Sequence, residues 1–98
     1  AAAIVHILPQ IRPGMKSIYH FSNEGVCSWY DFARAIIEMS GLSCDIRPIE
    51  SWEYPSKAAR PPYSVLNKAK IKKDFGIRIR HWRDALRECI DNLEENNL

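Results

Sequence analysis

The stretch from Ser28 to Gly41 constrains this chain more than any other, because both its ends are punctuated and its middle has a single period. Ser28 can accept a backbone N–H at a helix start. Asp31 stands three positions on to complete a reciprocal cap, a shorter stand-in for the usual Glu. Trp29, Phe32, Ala33, Ile36 and Ile37 then recur at helical spacing and form one apolar stripe. Gly41 occupies the place of a left-handed C-terminal cap. The spacing predicts a helix over 28–40 that has to bury one face.

The rest of the chain supplies less regular partners. Ala1 to Leu8 is apolar but short, with neither a basic flank nor a cleavage pattern, and reads as the end of a helix of something larger rather than a signal peptide. Pro9, Pro13 and Gly14 turn the next segment into a loop. Ser17 to Phe21 is β-prone and stops at the turn-like Ser22-Asn23-Glu24-Gly25. Asp45 to Ile49 resembles a second short strand, whereas Pro55, Pro61 and Pro62 keep 50–62 loop-like. Asn67 can cap a helix over 68–75 closed by Gly76, and Ile77 to Ile79 is a short extended link. Trp82, Ala85, Leu86, Cys89, Ile90 and Leu93 predict a last helix over 81–95.

These elements define one α/β domain over 1–98, a small α+β-like unit of four helices with two or three short strands. So few strands cannot cover four amphipathic helices. The piece is expected to lean on another domain, or on another copy of itself as a homodimer.

Ninety-eight residues suffice for one modest core, and no apolar run reaches the roughly 18 residues of a membrane span. Cys27, Cys44 and Cys89 are widely and irregularly spaced. With no CxxC and no ligand-like pair among His6, His20 and His81, no metal site is expected, and the cysteines read as buried cytosolic thiols. The net charge of +2 hides an asymmetry: 57–87 carries ten Lys/Arg against Asp74 and Asp84. Such a block can attract phosphate, nucleic acid or an acidic partner, or can simply cover solvated helix faces.

The absences bear on chemistry. Glycines occur only at 14, 25, 41 and 76, so no dinucleotide fingerprint or P-loop can be built. No tyrosine is followed four residues later by lysine, no serine sits in a GxSxG elbow, and no carboxylates pair. The segment from Glu53 to Asn67 remains, a stiffened loop that mixes cations with aromatics. Arg60, before Pro61 and Pro62, offers a forked, permanently charged donor suited to a diphosphate. Tyr54 and Tyr63 offer flat faces to a base or sugar.

Ile18-Tyr19-His20-Phe21-Ser22-Asn23-Glu24-Gly25-Val26-Cys27-Ser28-Trp29-Tyr30-Asp31-Phe32-Ala33 resembles a signature of the dTDP-4-dehydrorhamnose reductases. Glu53-Tyr54-Pro55 and the stretch from Arg60 to Lys70 resemble the later signature of the same family, at the expected distance. The resemblance covers 17–93. It implies the carboxyl-terminal, substrate-binding subdomain of an extended short-chain dehydrogenase/reductase. The NADPH-binding Rossmann domain, with its Tyr-x-x-x-Lys pair, would lie outside these residues. No catalytic residue and no cofactor would then belong to this piece, which alone would be inactive.

The implied reaction reduces the 4-keto group of dTDP-6-deoxy-L-lyxo-4-hexulose to give dTDP-L-rhamnose, in the cytoplasm. By the same resemblance Arg60 would engage the substrate diphosphate, and Ser28, Trp29 and Tyr63 would line the site. Each has a plainer role to set beside that one. Ser28 can be only a cap, Trp29 can be core, and Tyr63 can be packing. Relatives commonly have Asp where Asn67 stands, and both residues cap helices. Two alternatives remain. One is a non-catalytic relative of the type of the regulatory subunit of methionine adenosyltransferase. The other is a nucleic-acid-binding module built on the basic block, against which Lys68, Lys70, Lys72 and Lys73 spread around a helix.

Overall fold

A computed structural model describes residues 1–96. Four helices are present among them: α1 (Ala2–Ile7), α2 (Trp29–Ser40), α3 (Ala69–Phe75) and α4 (Trp82–Asn96). Short 3-10 turns follow α1 at Leu8–Gln10 and precede the proline-rich loop at Ser51–Glu53.

α2 forms as its caps dictate. Ser28 Oγ accepts the Asp31 N–H at 3.0 Å, Asp31 Oδ2 accepts the Ser28 N–H at 3.1 Å, and Gly41 closes the helix at φ +67°. α3 begins one residue later than the sequence suggests: Lys68 holds the N-cap position while Asn67 Oδ1 accepts the Ala69 N–H at 3.0 Å. The amide oxygen thus does the capping that an aspartate would do.

The expected strands do not form. Among the described residues the only β pairing is one isolated parallel bridge, Glu24 with His81. The physical reason lies in the partners of the β-prone segment 17–21. Lys70 Nζ reaches Ser17 Oγ and Ile18 O, the latter at 2.9 Å, and the Tyr19 hydroxyl donates to Asp74 Oδ2 at 2.7 Å. The segment therefore lies along α3, held by side chains. β-propensity without an adjacent strand makes no ladder.

α2 packs on α4, and the contact falls on a face that the apolar stripe does not name. Ala35, between the stripe positions, is 1% exposed, whereas Ile36 and Ile37 are half-buried. A small side chain at the crossing lets the two helices approach closely. Arg83 from α4 reaches Glu38 at 3.1 Å, and Arg87 donates to Met39 O at 3.4 Å near the carbonyl end of α2.

The buried apolar side chains among the described residues are Ala35, Ile71, Phe75 and Ile90. The radius of gyration is 17.5 Å, against about 13 Å for a compact chain of this length. The molecule is a thin plate of 52 × 39 × 21 Å, and its core is correspondingly small.

The thiols are not the buried set expected. Cys44 and Cys89 are exposed, Cys27 is half-buried, and all three are free. No described helix is long and apolar enough to cross a membrane.

Candidate functional site

Two segments of the chain carry the four residues singled out from sequence. The first is the turn that enters α2. Glu24 is fixed through its backbone between the two residues flanking His81: its N–H donates to Arg80 O at 2.8 Å, and its carbonyl accepts from Trp82 N at 2.9 Å. Gly25 follows at φ +90°, in the left-handed region that favours glycine. Ser28 then caps α2, and Trp29 begins it.

Trp29 is 85% exposed, which overturns its reading as a core residue. Its ring stands T-shaped to Phe32, at 6.4 Å between centroids, and Phe32 in turn leans on Trp82 at 6.1 Å. The first residue of a helix overhangs the packed face, so α4 covers Ala35 and leaves the indole free. Ser28 does act as the cap. Its hydroxyl hydrogen remains available as a donor while the oxygen accepts from Asp31.

The second segment is the loop from Tyr54 to Asn67, which carries Arg60 and Tyr63, both exposed. Neither forms a hydrogen bond or ion pair with any described residue. Among the described residues no hydrogen bond, ion pair or aromatic contact joins Arg60 or Tyr63 to Ser28 or Trp29. Two open concavities are present, one of ≈ 540 Å³ between the turn after α1 and the end of α3, and one of ≈ 360 Å³ along α4. Neither is lined by any of the four residues.

The basic block resolves into committed and uncommitted cations. Lys68 and Lys72 pair with Glu24, Arg80 with Glu88 and Arg83 with Glu38. Lys70 is taken up by Ser17 and Ile18, and Arg87 by Met39. Lys57, Arg60, Lys73 and Arg78 make no such contact among the described residues. Of these four, only Lys57 and Arg60 belong to the aromatic, proline-stiffened loop, and Arg60 is the one followed by Pro61-Pro62. Six of the ten cations thus serve internal contacts, which weakens their attraction for a nucleic-acid backbone.

Sequence reasoning passed over Lys68 and Glu24. Lys68 is 7% exposed and donates to Asn23 O at 2.9 Å, with Glu24 Oε1 at 3.8 Å. Glu24 Oε1 is cut off from solvent and lies 2.5 Å from Lys72 Nζ; the charges satisfy it, without a well-aligned hydrogen bond. The Lys72 contact, and then the field of both lysines, hold the Glu24 carboxyl below the usual carboxylate range. No pattern distinguishes Lys68 from Lys70, Lys72 and Lys73, so no signal could have found it.

Tyr19 is likewise held, edge-on to Phe75 at 5.0 Å and under Lys70 Nζ at 4.6 Å. Its hydrogen bond to Asp74 raises its pKa and keeps the hydroxyl a donor.

Among the described residues no glycine turn fits the pyrophosphate of a nicotinamide cofactor: Gly41 and Gly76 close helix C-termini, Gly14 is followed by no helix before Trp29, and Gly25 lies against His81 and Trp82.

Residues 1–95 match the profile of the RmlD substrate binding domain. The chain is 56% identical over 73 residues to "Spore coat polysaccharide biosynthesis protein SpsK" of Bacillus subtilis (strain 168), covering 74% of this chain and 25% of that protein. It is 32% identical over 80 residues to a dTDP-4-dehydrorhamnose reductase of Sinorhizobium fredii, covering 78% and 27% respectively. A dTDP-4-dehydrorhamnose reductase of Burkholderia thailandensis is 36% identical over 86 residues, 80% of this chain and 29% of that protein. The chain thus spans about a quarter of the length of these relatives. No solved structure matches it.

Proposed function

This chain belongs to the RmlD substrate binding domain family, and from that premise we propose that it is the sugar-nucleotide-binding part of an NADPH-dependent dTDP-4-dehydrorhamnose reductase. The parent reaction is reduction of dTDP-6-deoxy-L-lyxo-4-hexulose to dTDP-L-rhamnose, in the cytoplasm, for a cell-surface polysaccharide. The observation that carries this reading is the family match over 1–95, joined to an uncommitted arginine in a proline-stiffened loop.

In this reading Arg60 binds the diphosphate through its fork of N–H donors. Tyr63 and Trp29 give flat apolar faces to the base and the sugar. The Ser28 hydroxyl, its oxygen occupied by the helix cap, keeps one hydrogen to donate to the ligand. The two segments are brought together by the ligand itself, which reaches from the loop to the α2 entrance.

The hydride donor and the Tyr-x-x-x-Lys pair are assigned to the protein's own amino-terminal Rossmann domain. That domain also covers the apolar surface left open here, including Ile4, Val5, Leu8 and Val26. This chain's part is to bind and orient; the hydride to C4 and the proton to the 4-keto oxygen both come from the other domain.

The test is NADPH consumption by the full-length protein with the 4-keto sugar nucleotide. Turnover that depends on the sugar nucleotide supports the reading. Tight dTDP binding with no turnover would instead favour a non-catalytic relative.

A further inference from the structure

Lys68 is the only charged side chain with less than a tenth of its surface exposed among the described residues. Burying an ammonium is costly unless it is paired and hydrogen-bonded, and Lys68 meets that requirement across 45 residues of sequence, at Asn23 O and Glu24. The segment it grips is short, and it is held at every step. Asn23 O is bonded to Lys68, the Glu24 backbone to Arg80 and Trp82, and the Glu24 carboxylate to Lys72. Gly25 lies against the side chains of His81 and Trp82. Three residues further on, Ser28 caps α2 and Trp29 projects into solvent.

We infer that Lys68 is a positioning residue: by anchoring Asn23 and Glu24 to α3, it sets where the entrance of α2 presents Ser28 and Trp29. The ammonium serves the geometry of the α2 entrance rather than any ligand, since its carbonyl and carboxylate partners leave it enclosed. Because α3 follows directly on the loop bearing Arg60 and Tyr63, the same anchor ties both candidate binding segments to one helix. The consequence for substrate rests on the function proposed above; the anchor itself does not.

The experiment uses the full-length protein labelled with 5-fluorotryptophan, the Trp29 resonance being assigned by its loss in Trp29→Phe. Lys68→Met keeps the aliphatic length and removes the charge, and Lys72 remains to pair Glu24. The expected result is a shifted or broadened Trp29 resonance that Lys68→Arg restores toward wild type. The KM for the sugar nucleotide should rise about 5-fold with the KM for NADPH unchanged. Glu24→Gln, which retains the backbone bridge to α4, is the second variant and should move the same resonance.

An unmoved Trp29 resonance in both variants overturns the inference. A moved resonance with an unchanged sugar-nucleotide KM upholds the anchor and removes Trp29 from the binding site, so the two readings fail separately.

Discussion

Gly25 and His81 meet with no space between them: a Cβ on Gly25 would stand 2.5 Å from His81 Nε2. The imidazole cannot swing aside freely, because its Nδ1 accepts the Arg83 N–H at 3.1 Å in the first turn of α4. Gly25→Ala therefore meets a left-handed backbone and a tethered ring together. We expect a loss of about 1–3 kcal/mol in stability, read by urea denaturation of the full-length protein. An alanine variant as stable as wild type would show that this contact is loose.

Ser28 can be separated from its neighbours by its cap. Ser28→Ala removes the acceptor for Asp31 N–H and should cost about 1 kcal/mol. Ser28→Asn keeps an acceptor and should stay within a few tenths of wild type. If both substitutions destabilise equally, the cap is not what Ser28 contributes.

Arg60→Ala should raise the sugar-nucleotide KM by about 10-fold or more, the worth of one charge-assisted contact of about 1.5–3 kcal/mol. Its melting temperature should not change, because Arg60 pairs with no described residue. Arg60→Lys should recover only part of the loss, since an ammonium replaces a planar fork by a point charge. An unaltered KM would remove Arg60 from the site.

Such expectations could be drawn from sequence where the physics is local. The caps of α2 are decided within three residues, and both Ser28 and Gly41 take the places their chemistry assigns them. Asn67 caps as an amide, with only the helix start displaced by one. The strands were not legible, because a ladder depends on a neighbour and 17–21 finds side chains of α3 instead. Trp29, on the apolar stripe, is exposed and Ala35, off it, is buried for a related reason. Periodicity identifies an apolar stripe, but not which part of it another helix covers. In the loop bearing Arg60 and Tyr63 the sequence shows side-chain chemistry, and it does not show how the loop stands relative to α2.

Glu24 makes stability depend on acid in a direction fixed by its lowered pKa. Its contribution is fully present above the ordinary value of 4.5 and is lost as pH falls through the depressed folded value. The stability difference between wild type and Glu24→Gln should accordingly shrink below about pH 4.5. Denaturant melts at a series of pH values measure this. A difference that persists undiminished to strongly acid pH would assign the effect to shape rather than charge.

Burial, and secondarily the Asp31 charge, push the Cys27 thiol up from its ordinary value. Cys44 lies exposed. Because the thiolate is the reactive form, iodoacetamide at pH 8 should modify Cys44 well before Cys27, as followed by peptide mass spectrometry. Equal rates at the two positions would contradict the half-buried placement of Cys27.

A plate 21 Å thick with four buried apolar side chains has a further consequence. On the function proposed above, its unfolding would be coupled to an undocking: the domain that would cover Ile4, Val5 and Leu8 would contribute to the free energy that keeps α1 helical. Any ligand that tightens that contact raises the melting temperature by mass action. Heat resistance in this piece is then a measure of its binding, and a thermal shift with sugar nucleotide reports the closing of two surfaces as much as the filling of a site.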